Sequence, residues 1–327
     1  MAEPIRDRGP EAELRVTRAD LEARLDQLRG SIDDPRGGLF GPGSKVWEVN
    51  RHSISFLGAG RAALLQLAHP WVAWGVEQHS RTRDDPFGRF QRTFFHVFRM
   101  VYGDLDTAIS AARAVHRIHE RIEGAIGGAA GPFAAGSRYA ANQADALLWV
   151  HATLWDTSIR CFEAVVRPLS IDERRAYYDE TRRFAWLFGI PDAVLPPSWD
   201  AFDAYVEGML ASDVLTVAEP AARMAGFLFR PLVPGSGALM RRYAEVTAWL
   251  LPERLADGFG LARGGDAGER RVDRTIARLR RLWPHLPERL RYLPAYVEAR
   301  RRVEGRTDRD RVGELLGRLF VGRRRAS

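Results

Sequence analysis

The sequence predicts an all-α fold, and three observations predict it. Apolar residues recur at helical spacing through most of the 327 residues. No alternating apolar–polar run of useful strand length interrupts them, and no repeat period is present. The breaks between periodic runs carry helix caps and stops, with no Asn-Gly or Asp-Gly hairpin between strand-like segments.

Taken in order, the first thirty residues carry a short amphipathic helix. Thr17 is its N-cap with Asp20 three residues on, and Leu21, Leu25 and Leu28 form the apolar stripe. Turn residues follow, from Asp33-Asp34-Pro35 to Gly41-Pro42-Gly43. Helices are then expected over 59–79, 88–102, 105–124, 143–166, 171–188, 200–211, 218–230, 238–250, 269–282 and 308–320, about ten in all. Pro70 bends or breaks the first of these. Gly103-Asp104 ends one helix and caps the next, Ser170 with Glu173 forms a capping box, and Gly189-Ile190-Pro191 is a sharp stop. Residues 124–136 read as a Gly/Ala-rich loop, and Gly264-Gly265 as a mobile one. The division expected is an N-terminal extension over 1–40, a single helical domain over 41–295, and a C-terminal helix with a basic tail over 296–327.

Composition narrows the function. With 46% hydrophobic and 28% charged residues the chain folds. Lys45 is the only lysine among 49 basic residues, a pattern that codon usage explains, and the net charge of +7 is diluted by 42 acids interspersed along the chain. Nucleic acid is therefore not the expected partner. Cys161 stands alone, which excludes an internal disulfide, a multi-cysteine metal site and, without CxxCH, covalent haem attachment. Met1 to Arg29 alternates acids and bases, unlike a signal peptide. Ile54 to Gly75 is the most apolar stretch but contains Arg61 and His69, so it reads as a buried helix. The expectation is a cytoplasmic protein without an integral membrane segment.

Candidate chemistry sits on histidines and their neighbours. On the helix 105–124, Ala108, Ala112, Val115, His119 and Ile122 fall on one narrow face, so His119 is expected to point inward, with His116 at the edge. A neutral imidazole with one nitrogen free in a wall of small residues suits a haem axial ligand; a core histidine bonded to a carbonyl has the same spacing. Arg89, Thr93, His96 and Met100 share one face of helix 88–102, beside Arg92. Guanidinium groups on such a face suit an anion such as a propionate, a phosphate or an oxygen-derived anion. His151 lies in an apolar wall on helix 143–166, where it lines a pocket or locks a contact through Asp156 or a carbonyl. Glu77 is a possible general base if desolvated, next to Gln78-His79.

These residues also carry a resemblance. Gly60-Arg61-Ala62, Glu77-Gln78-His79-Ser80-Arg81, Asp85-Pro86-Phe87-Gly88-Arg89-Phe90-Gln91-Arg92-Thr93, Gly103-Asp104, His119-Glu120-Arg121-Ile122-Glu123-Gly124, Trp149-Val150-His151 and Leu187-Phe188-Gly189-Ile190-Pro191 appear in order. From about Gly58 to Arg291 the chain resembles the catalytic domain shared by bacterial latex-clearing proteins (rubber oxygenases) and fungal MpaB-type oxygenases. The resemblance implies a globin-like helical core around non-covalent haem b, with dioxygen and an unsaturated, possibly isoprenoid or lipid, small molecule as partners. It places the axial metal ligand on His119 and the family's arginine and threonine near the haem on Arg89 and Thr93. The family's distal lysine falls on Arg92, which stays protonated and cannot cap iron as a lysine can. Glu77 is its candidate catalytic glutamate, and His151 belongs to the bacterial branch's own motif as a cofactor-side residue. Two other readings stay open: a non-catalytic haem or lipid binder, and a non-haem metal oxidoreductase using His79, His119, His151 and Glu77.

Overall fold

The computed structural model describes residues 14–79, 86–231 and 235–306, with the side chains of residues 86–93 left out. The expected helix at 308–320 lies outside the described residues. Fifteen α-helices and one two-stranded ribbon are described, so the all-α expectation holds with more helices than the ten expected.

The helices are α1 (Arg18–Ser31), α2 (Lys45–Asn50), α3 (Ala59–Leu67), α4 (Pro70–His79), α5 (Pro86–Tyr102), α6 (Leu105–His119), α7 (Ala144–Val165) and α8 (Ile171–Trp186). They continue as α9 (Trp199–Ala211), α10 (Glu219–Leu228), α11 (Gly237–Leu250), α12 (Glu253–Gly258), α13 (Gly265–Leu282), α14 (Glu288–Arg291) and α15 (Pro294–Val303). Caps read from sequence hold. Thr17 with Asp20 and Ser170 with Glu173 are both full capping boxes. The Asp104 carboxylate accepts from Thr107 N at 2.8 Å. Gly189 takes a φ of +72°, which an L side chain resists, and so stops the chain after α8.

The run 59–79 is broken at Pro70 as expected: it has no N–H to continue the ladder, so α3 ends and α4 begins with Pro70 as its first residue. Two expectations need correction. The run 105–124 stops at His119, because Glu123–Ala125 leave the helix to form β1, paired antiparallel with β2 (Arg138–Ala140). Gly264-Gly265 are the entry to α13, not a free loop. The shortest helices, α2, α12 and α14, hold four to six residues and offer too little periodicity to be seen in sequence.

α7 is the spine. Trp149, Ala152, Trp155, Ile159, Phe162 and Val165 are all nearly inaccessible, and α2, α3, α8, α9 and α13 pack around it. It also carries a charge the core must satisfy. Arg61 on α3 is 1% exposed and reaches Asp156 at 2.7 Å, Thr157 Oγ1 at 2.5 Å and the Leu250 carbonyl at 2.9 Å. Asp156 continues to Arg160, which reaches Glu207 at the surface. Removing one partner of such a pair leaves a buried charge, at a cost of about 3–5 kcal/mol. The α1 leucines, all at most 1% exposed, belong to the same core. Among the described residues no helix is long and apolar enough to cross a membrane.

Candidate functional site

α6 packs its first three turns inward through Leu105, Ala108, Ile109, Ala112 and then His116. The last turn departs from that ridge. His116 is buried, whereas Val115 and His119 are half-covered. The sequence placed His119 on the right side of the helix but exchanged its depth with that of His116. The reason is the early helix end: the chain turns away at Glu120, so nothing from a continued helix covers His119.

His119 is nonetheless strongly desolvated. Burial pushes its imidazole down to about 4, with His116 and His96 adding cationic repulsion, so the ring is neutral at ordinary pH. A hydrogen bond to Asn142 works the other way and favours the protonated ring, so the amide oxygen accepts from a ring N–H. In a neutral imidazole that bond fixes the proton on the nitrogen facing Asn142. The other nitrogen keeps its lone pair.

Asn142 is 2% exposed and sits between β2 and α7. Its backbone is held from far along the chain: Val16 N donates to Asn142 O at 2.8 Å, and Ala144 N to Leu14 O at 2.8 Å. Gln143 accepts from Ala140 N through its side chain. Sequence reasoning missed Asn142. The signal available was an amide residue at the mouth of an apolar helix, close behind a buried histidine that needs a partner.

The ribbon closes the other side of this region. Gly124 in β1 lies so close to α4 and β2 that a Cβ there would stand 2.7 Å from Gln78 Oε1 and 2.8 Å from the Tyr139 hydroxyl. Tyr139 donates to Gln78 Oε1 at 2.7 Å, and His79 Nε2 lies 3.1 Å from the Glu123 carbonyl. His79 is therefore a ribbon contact on an exposed edge.

α5 lies against α6. Its Met100 is inaccessible, and Phe94 packs tilted and Phe98 edge-on against Phe56. His96 is half-buried, its Nδ1 is inaccessible and has no partner among the described residues, and its charge is felt at His119. Arg89, Arg92 and Thr93 stand on α5, and their side chains lie outside the described residues.

Glu77 is largely covered, with its side chain 14% exposed, but it does not stand alone. It is ion-paired with Arg223 of α10, which also pairs with Glu219. His151 is 2% exposed on α7, and its neighbours are Trp155 and Phe184. Trp155 Nε1 donates to His151 Nδ1 at 3.1 Å, so the contact expected with Asp156 is replaced by one with tryptophan, and Asp156 serves Arg61. Among the described residues no three His, Cys, Asp or Glu side chains gather as a metal site. His79, His119, His151 and Glu77 therefore do not form the cluster that the non-haem reading requires.

Compared with known proteins, residues 47–282 match the family described as ER-bound oxygenase mpaB/B'/Rubber oxygenase, catalytic domain. No curated protein and no solved structure matches the chain.

Proposed function

The chain belongs to the mpaB/rubber-oxygenase catalytic-domain family, and from that premise we propose that it is a haem-b-dependent oxidoreductase acting with dioxygen on an apolar, unsaturated small molecule. One observation carries the reading. His119 is neutral, half-covered, and bonded through one nitrogen to the Asn142 amide. A haem ligand needs an available lone pair and an orienting partner on the opposite nitrogen.

Bound haem supplies the activation of dioxygen. The protein supplies the rest. His119 would hold the haem iron, and the Asn142 oxygen fixes the ring's tautomer and raises its basicity. Positions 89, 93, 96 and 100 follow one face of α5, the helix packed on α6. Arg89, Arg92 and Thr93 are read as the groups that bind the carboxylates of the cofactor or a developing anion, and the core as globin-like in that one helix supplies the axial histidine. With Arg92 where the rubber enzymes have lysine, this face offers no amine to cap the metal. Glu77, tied to Arg223, and His151, sealed behind Trp155, have no part in the reading. Apolar walls suit an isoprenoid or other unsaturated lipid.

The test is the visible spectrum of protein purified with haem supplementation. A Soret band is expected, lost or shifted in His119→Ala; no band, or one unchanged by that substitution, sinks the proposal. Oxygen consumption with a panel of unsaturated isoprenoids then separates an oxygenase, which consumes it, from a haem carrier, which does not.

A further inference from the structure

Charge is not spread evenly along this chain. Residues 270–302 contain eleven arginines and three acidic residues, a net +8 within a chain whose total is +7. Codon usage exchanges lysine for arginine, but it cannot move the balance of acids and bases into one segment. Within that segment the helix α13 sorts its residues by face. Gly268, Val272 and Ile276 are buried, on the side packed against α7 and α11. Arg270, Arg274, Arg278 and Arg281 fall within about 80° of one another on the opposite side, at about 100° per residue. All four are exposed, and none makes an ion pair among the described residues. Their neighbour Arg271, by contrast, is tied to Glu245.

Two large apolar side chains are exposed from the last residue of α13 onward. Leu282, the last residue of α13, is 57% exposed, and Leu290 in α14 is 58% exposed. Each follows directly on an exposed arginine, Arg281 and Arg289. The segment between them is anchored: Trp283 is buried with its Nε1 on His52, and Arg291 reaches the Pro284 carbonyl at 3.2 Å. The leucines are thus held outward by a fixed support.

We propose that the exposed face of α13 with Leu282 and Leu290 docks on an anionic lipid surface. A row of guanidinium groups neutralises lipid headgroups, and leucines at its edge enter the acyl boundary, as on an interfacial helix. A nucleic acid would match the arginines but offers nothing to the two leucines. The face would bring a chain with no membrane-spanning helix among its described residues to the phase where apolar molecules reside, and it requires no haem.

The experiment is co-sedimentation of the full chain with vesicles of phosphatidylcholine alone or with phosphatidylglycerol. Binding is expected only to the anionic vesicles, and to weaken with salt. The variant R270Q/R274Q/R278Q/R281Q should lose it, at about fivefold per arginine. The matching four Arg→Lys replacements should retain it, and Leu282→Ser with Leu290→Ser should reduce it with the charge intact. Equal binding to both vesicle types, no binding to either, insensitivity to the four Arg→Gln changes, or a shift of duplex DNA without vesicle binding overturns the proposal.

Discussion

His119 and His151 began as equals in the sequence, each an imidazole on the apolar side of a long helix. Their surroundings separate them by the direction of one hydrogen bond. Asn142 accepts a hydrogen bond from the His119 ring, and the far nitrogen is left with a lone pair. Trp155 can only donate, so His151 must accept on Nδ1 and carry its proton on Nε2. That nitrogen is buried without a partner. Desolvation pushes both imidazoles down, His119 to about 4 and His151 to about 3, so this shift does not by itself separate the two rings. The polarity of the partner does. His52 repeats the sealed arrangement, with Trp283 Nε1 donating to its Nδ1 at 3.1 Å.

The largest test of this contrast is a pair of variants. His119→Ala should abolish haem retention, read as loss of the Soret band, while His151→Phe should retain it; equal loss in both would dissolve the distinction.

Acid comes next. His52, His69 and His151 have pKa values lowered by burial from 6.5 to about 3, 4 and 3. Below about 6.5 the unfolded chain takes up protons on these rings and the folded chain does not. Their contribution is therefore complete above that pH and is lost as pH falls towards 4, by about 1.4 kcal/mol per pH unit for each ring. Urea titrations at successive pH values should show stability falling with acid across this window, and a flat profile would mean that water reaches these rings.

A smaller effect is expected at Asn142. Asn142→Leu keeps the axial ligand but removes its orienting acceptor, and should weaken haem affinity by about 10- to 100-fold in a haem titration. Smallest is Trp155→Phe, which releases Nδ1 of His151 at a cost of about 1 kcal/mol for the lost bond. Its diagnostic is tautomeric: imidazole nitrogen NMR should show the Nε2–H form dominant in the native chain and a mixture in the variant.

Much of the fold was legible because its signals are local. Thr17 with Asp20, Ser170 with Glu173, Asp104 and Gly189 each do what their spacing implies. The failures mark where distant contacts decide. Residues 120–124 have helical spacing, but the chain turns at 120–121 and Glu123–Ala125 pair with Arg138–Ala140. The face of His119 could be read from the helix period, whereas its depth could not, because depth depends on where the chain turns. Asn142 is a ligand partner only by tertiary position. Trp155 lies four residues from His151, a spacing visible in sequence, but which of the two nitrogens it occupies required coordinates.

The strap of residues 14–16 across the Asn142 turn has a consequence for the order of assembly. Leu14 and Val16 emerge from the ribosome early and must wait for most of α2 to α6 and the ribbon before their hydrogen-bond partners exist. Contacts between segments so far apart in sequence form late, after the local helices. The acceptor that orients His119 is therefore set in place near the end of folding, and a nascent chain interrupted before Ala144 would carry the histidine without the geometry on which its proposed role rests.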